Sequence, residues 1–236
     1  MNDERKSKYA LHAACREGHG TYSNLSEQAN PKLDSLRDED DRLPLHWAVS
    51  YNHLPIVTML VQRKNFDVDA QDGSGWTSLM MATSRKDAET IVDLLLKKDA
   101  DVNMKTINGQ TALHFAASKN NLDIARTLIS HKASARVKDK RGQLALHRAA
   151  AAGSVPMMKL LLEAKSPLNA TDMDGMTALH HAISEGHGDA ALLLLQAGAE
   201  TDKKDMDGHT AIELVPDAKT RKFILQAAER EGIDLE

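Results

Sequence analysis

A leucine or isoleucine returns along the chain at Leu11, Leu45, Leu79, Leu113, Leu146, Leu179 and Ile212, at spacings of 34, 34, 34, 33, 33 and 33 residues. Around these positions the text repeats as Y-A-L-H-A-A, L-P-L-H-W-A, T-S-L-M-M-A, T-A-L-H-F-A, L-A-L-H-R-A, T-A-L-H-H-A and T-A-I-E-L-V. A second apolar stretch follows in each full unit, at 56–60, 91–96, 124–129, 158–162 and 191–195, and reads as an outer helix. Pro55 and Pro156 lie near the starts of two of them, where a missing amide proton costs nothing. Thr77, Thr111, Thr177 and Thr210 stand where a side-chain oxygen can accept from an exposed amide, so a first helix begins at each. The small pairs Ala13-Ala14, Ala116-Ala117 and Ala149-Ala150 leave little bulk on that first helix and let neighbouring units stack closely.

Between units come turn-rich tips: 72–75 (DGSG), Asn108-Gly109, Lys140-Arg141-Gly142, Asp174-Gly175 and Asp207-Gly208. Asn-Gly and Asp-Gly mark tight turns because both residues tolerate positive φ. Each unit therefore reads helix, turn, helix, hairpin loop, in units starting near 8, 42, 76, 110, 143, 176 and 209. One such unit cannot bury its apolar face alone, and stacking supplies the core. The predicted fold is all-α, a single domain over 1–236 of seven stacked helix-turn-helix repeats with hairpin loops.

The ends deviate as caps should. The segment 20–31 is polar and weakly periodic, which leaves the first outer helix undecided. The last unit replaces His by Glu213, carries Pro216 early and finishes on an amphipathic segment, 220–230. Gly198 is the one clear glycine at the end of an outer helix, so the other outer helices must end in a left-handed non-glycine residue at about 1–2 kcal/mol each.

Composition sharpens this picture. Aromatic residues are 3% of the chain against 42% hydrophobic overall, which suits many thin layers of Ala, Leu, Ile, Val and Met. A formal net charge of -4 gives no global attraction to nucleic acid or to an anionic membrane. Cys15 is the only cysteine, which excludes an intramolecular disulfide and fits a reducing compartment. No apolar run approaches the length of a membrane span, and the start resembles no secretory signal.

Eleven histidines raise the question of metal or acid–base chemistry. His12, His46, His114, His147 and His180 share one repeat position, and recurrence in every layer points to a structural hydrogen bond. His180, His181 and His187 are too loosely arranged for a zinc shell and have no cysteine nearby. The chain has no G-x-S-x-G elbow and no phosphate-binding glycine loop. The expectation is a non-enzymatic protein with no catalytic residue, cofactor or metal.

A partner would meet the tips and the open side of the inner helices. The first tip offers Asp38, Glu39, Asp40, Asp41 and Arg42, and Trp76 stands at the second. Further tips carry Lys138, Lys140 and Arg141, then Met173 and Met176. Inner-helix ends contribute Ser50, Tyr51, Arg85, Lys119 and Glu185, with Trp47, Phe115 and Arg148 one turn earlier. This surface is acidic first, basic in the middle and set with a few aromatics. Bulky aromatics such as Trp76 are typical anchors of protein interfaces, whereas single exposed charges contribute little.

The repeated text resembles the ankyrin signature T-P-L-H-x-A. Within that group, D-E-D-D-R-L-P-L-H-W-A-V-S (38–50), D-G-S-G-W-T (72–77), L-H-F-A-A-S-K-N (113–120), A-L-H-R-A-A-A-A-G (145–153) and A-I-S-E-G-H-G-D-A-A (182–191) resemble the gankyrin family, the last in a fungal form. That resemblance implies an assembly chaperone of the proteasome regulatory particle. It would hold the C-terminal domain of one proteasomal AAA ATPase subunit, act in cytoplasm and nucleus, and be a monomer on its own. It implies that Arg42 and Lys119 meet an acidic cluster of the ATPase domain, with Glu39 and Asp40 facing its basic side. Of the family's L-x-C-x-E motif, only Glu185 stands in the matching segment 181–185, which leaves the retinoblastoma contact without its motif. The remaining partner-face residues expected are Trp47, Tyr51, Trp76, Phe115, Arg141 and Arg148. A general ankyrin adaptor, for instance a kinase-binding inhibitor, is the alternative.

Overall fold

The computed structural model describes residues 9–18, 33–63, 66–233 and 235. Among them lie twelve α-helices and one 3-10 turn, with no strand beyond two isolated bridges, Gln71 to Thr77 and Lys204 to Thr210. The chain divides into two units, Met1–Ile107 and Asn108–Glu236. The first holds inner helices α1 (Ala10–Glu17), α2 (Pro44–Ser50) and α4 (Ser78–Thr83) and outer helices α3 (Leu54–Leu60) and α5 (Glu89–Leu96). The second holds inner helices α6 (Ala112–Ser118), α8 (Ala145–Ala151) and α10 (Ala178–Ser184), with outer helices α7 (Leu122–Ser130), α9 (Val155–Glu163) and α11 (Gly188–Gln196). It ends in a 3-10 turn, Ala211–Leu214, and α12 (Ala218–Arg230). Segment 20–31, where the first outer helix was left undecided, lies outside the described residues.

Within each unit inner helices stack on inner helices and outer on outer, α1 on α2 and α2 on α4, α6 on α8 and α8 on α10. The core follows the period. Leu11, Leu45, Leu79, Leu113, Leu146 and Leu179 are all buried, each worth about 1.5–3 kcal/mol of hydrophobic stabilisation. Ala48, Ala82, Ala116, Ala149 and Ala182 have no exposed surface, which is what lets consecutive inner helices lie against each other. Ile212 is only half-buried, as fits the end of a stack.

The recurrent histidine joins layers. In His46, His114, His147 and His180, Nδ1 accepts the backbone N–H three residues back, from Leu43, Thr111, Leu144 and Thr177, at 3.0–3.2 Å. Nε2 donates to a backbone carbonyl further along, of Ala70, Gln143, Ala170 and His209. His12 reaches Arg42 O in the same way. One ring thus caps its own helix, doing the work of Glu or Gln in a capping box, and ties it to the next tip. This geometry fixes the neutral tautomer with hydrogen on Nε2. Burial accordingly lowers the pKa of His12, His46 and His180, and carries His147 to about 4. In the last repeat Glu213 replaces the imidazole, and its Oε2 accepts from Thr210 N at 2.7 Å. Pro216 forces Val215 into an extended conformation (φ -62°, ψ 127°), and the inner helix shortens to a 3-10 turn.

The threonine caps are realised unevenly. Thr77 Oγ1 accepts from Met80 N and Thr177 Oγ1 from His180 N, while at Leu43 and Leu144 the histidine caps alone. Outer helices end as the missing glycines require, with positive φ at Asp99 (62°), Lys132 (70°), Lys165 (63°) and Gly198 (87°). At the first tip the left-handed position is Asp41 (φ 59°), while the later tips place glycine there. A Cβ on Gly75 would lie 2.7 Å from Ile107 N.

Candidate binding face

In the first unit the partner-face residues form one cluster. Asp38 Oδ1 accepts the backbone N–H groups of Asp40 and Arg42, which closes the first tip. Its Oδ2 accepts Trp47 Nε1 at 2.7 Å. Burial raises the Asp38 pKa, but the bonds from Arg42, Trp47 and Asp40 outweigh it and leave the carboxyl below its ordinary value. The Trp47 indole lies beside Tyr51 in a stacked arrangement at 6.2 Å, and the guanidinium of Arg42 sits 5.0 Å from its ring centre. Tyr51, half exposed, stacks in turn on His53. Glu39 and Asp40 are exposed at the same tip. Trp76 is half-buried at the next tip, its backbone N–H accepted by Asp72 Oδ1.

Arg42 departs from the expectation of a cation free for a partner. Its Nε donates to Asp72 Oδ2 at 3.1 Å, a carboxylate almost wholly buried, so much of its charge is compensated inside the chain. Arg37, which sequence reading passed over, donates to the carbonyls of Asp41 and Gln71 and clasps the first two tips together.

In the second unit two further expectations change. Phe115 is 9% exposed: its ring belongs to the packing of the inner helices and can offer a partner little. Arg148 is 19% exposed and donates to Asp139 Oδ2 at 2.6 Å, so it too is neutralised from within. His181 stands one repeat later and bonds Asp172 Oδ2 at 2.8 Å. Burial raises the Asp172 pKa, but bonds from His181, Gln143 and Met176 bring it below its ordinary value. Lys119 and Glu185 are exposed at the ends of α6 and α10, and Lys119 forms no ion pair among the described residues. Arg141 is exposed, 3.7 Å from Asp174. Among the described residues Met173 and Met206 are the most exposed large apolar side chains, at successive tips whose backbones are bonded through Met173 N to Arg141 O and Met206 N to Asp174 O.

The geometry offers hydrogen-bond donors, ring faces and a few free charges. His187, one of the histidines weighed as a metal ligand, bonds Ala151 O. Asp205, Asp207 and His209 bring three ligand-type side chains together at one exposed tip, but Asp205 Oδ1 already accepts the backbone N–H groups of the other two. None of the described helices is long and apolar enough to cross a membrane.

Comparison with known proteins agrees with the repeat. The family described as "Ankyrin repeats" matches in three copies, over residues 1–72, 64–139 and 131–205. An ankyrin repeat-containing protein of Schizosaccharomyces pombe is 36% identical over 109 residues, 45% of this chain and 47% of its own length. A Saccharomyces cerevisiae protein named "Probable 26S proteasome regulatory subunit p28" is 39% identical over 134 residues, 55% of this chain and 58% of its own length. The chain thus spans about half the length of these two relatives. Human neurogenic locus notch homolog protein 1 is 32% identical over 131 residues, 56% of this chain and 5% of that protein.

Proposed function

Because the chain belongs to the ankyrin-repeat family, a family of protein-interaction modules, we propose that it is a non-catalytic binding protein of the proteasome regulatory particle. In this reading it holds the C-terminal domain of one proteasomal AAA ATPase subunit and assists assembly of the base, in cytoplasm and nucleus. The observation that carries it is the 39% identity to the yeast protein named as a proteasome regulatory subunit. The binding face adds support. The first unit carries exposed acidic residues, Glu39 and Asp40, and the second an exposed Lys119 with no ion pair among the described residues, so the chain offers a partner both signs of charge.

The test is a pull-down with the isolated ATPase C-terminal domain, in which wild-type chain is retained at low salt. Lys119→Glu is the cleanest disruptive variant because Lys119 is exposed and has no ion pair among the described residues. Arg42→Glu also sets a new carboxylate against Asp72 and so perturbs the fold as well as the face. Failure to retain the domain at low salt rejects this reading. The ankyrin-repeat match by itself supports a second reading, a general ankyrin adaptor or inhibitor that binds a kinase or other signalling protein. It predicts kinase binding and no co-migration with proteasome intermediates on native gels.

A further inference from the structure

The tip aspartates Asp38, Asp139 and Asp172 share a double use that no motif of the repeat announces. In each, Oδ1 accepts the backbone N–H groups two and four residues on: Asp40 and Arg42, Arg141 and Gln143, Asp174 and Met176. In each, Oδ2 is left over and meets the side chain nine residues on, which stands on the inner helix: Trp47 at 2.7 Å, Arg148 at 2.6 Å and His181 at 2.8 Å. Three chemically different donors therefore end at the same kind of oxygen in the same register. Where the residue nine on has no donor, as with Met81 after Asp72, the spare oxygen takes Arg42 instead.

A carboxylate bonded to two backbone amides of a tight turn cannot rotate, and the Asp139 and Asp172 side chains are 2% and 1% exposed. Their Oδ2 atoms are fixed points from which a long side chain is aimed. Without them an indole, guanidinium or imidazole at the partly exposed edge of an inner helix would have more rotamers open to it, and a partner would have to freeze one of them on binding. We propose that Asp38, Asp139 and Asp172 are positioning residues, which hold Trp47, Arg148 and His181 preorganised, each on the binding face of its own unit, so that each tip sets the orientation of the side chain behind it. The proposal rests on that face being the partner site.

Asp→Asn variants of the full chain separate the two uses. The amide keeps an oxygen for the turn and turns N–H groups toward a donor, so the turn survives while the aimed side chain is released. In nitrogen–proton correlation spectra, D38N should move and broaden the Trp47 indole signal while that of Trp76 stays in place and the backbone amides of Asp40 and Arg42 remain protected from solvent exchange. D139N should release the Arg148 guanidinium signals and leave the Arg141 and Gln143 amides protected from solvent exchange. With the ATPase C-terminal domain as probe, D139N should weaken binding by about 3- to 10-fold, the scale of ordering one long side chain, and this loss should vanish in an Arg148→Met background. Unchanged Trp47 and Arg148 signals in the variants, or an equal binding loss with and without Arg148, would overturn the proposal. If wild-type chain binds no ATPase domain, the function proposed above fails, and the spectra still decide whether these aspartates position the face.

Discussion

Replacing His147 by Gln removes one buried titration from the second unit while keeping its hydrogen-bonding shape. Nδ1 of His147 accepts from Leu144 N and Nε2 donates to Ala170 O, each at 3.0 Å. Gln at this third helical position can accept the same cap amide through its oxygen. Burial first, and then the neighbouring His181, lowers the His147 pKa from 6.5 to about 4. The unfolded chain takes up this proton near 6.5 and the folded chain near 4, so stability is whole above pH 6.5 and drains away as pH falls between those values. The loss from this one ring amounts to about 2 kcal/mol by pH 5 and about 3 kcal/mol once both states are protonated. Asp38 and Asp172, held below their ordinary value, release their share only at lower pH, and the buried His12, His46 and His180 titrate alike in wild type and variant, so the difference between the two proteins isolates His147. Urea unfolding between pH 7.5 and 4.5 reads the effect. Circular dichroism is the right probe, since Trp47 and Trp76 both lie in the first unit. The wild-type midpoint should fall more steeply with acid than that of His147→Gln. Parallel midpoints through this range would refute the assignment of a neutral, doubly bonded ring.

Other outcomes follow from backbone strain and burial. Lys132→Gly and Lys165→Gly relieve left-handed conformations and should each raise the unfolding free energy by about 1 kcal/mol, measured by urea titration. Gly153→Ala should lower it by about 2 kcal/mol or more, because φ is 65° and the new Cβ would lie 2.7 Å from the His187 ring. Burial, with a smaller contribution from Asp34, pushes the Cys15 thiol up to about 12, so native protein at pH 8 should resist a disulfide reagent that reacts fully once the chain is unfolded in urea.

The repeat was legible because it is written in residues whose roles are local. The buried leucines, the stacking alanines, the capping histidines and the glycine tips each act within a few positions, and the period of 33–34 shows them all at once. The left-handed ends at Lys132 and Lys165 followed from the absence of glycine there. What stayed hidden needs partners brought close only by stacking or by a folded tip. Arg42 is compensated by Asp72, thirty residues on, and Arg148 by Asp139, nine residues back. The same spacing hides the link between Asp172 and His181, whose chemistry differs from layer to layer. Phe115 reads as a face residue by its register with Trp47 and Arg148, yet an apolar ring with no carboxylate behind it folds into the inner-helix packing. Among the described residues of the second unit's face, the cation without an ion pair is therefore Lys119, while Arg141, though exposed, lies 3.7 Å from Asp174.

The central claim is that this scaffold grips a proteasomal ATPase C-terminal domain by complementary charge, and titration calorimetry of the full chain with that isolated domain across a salt series tests it most directly. The account predicts a one-to-one complex that weakens as salt rises and that Lys119→Glu weakens further at low salt. No heat of binding at low salt, or an affinity that neither salt nor Lys119→Glu changes, would contradict it.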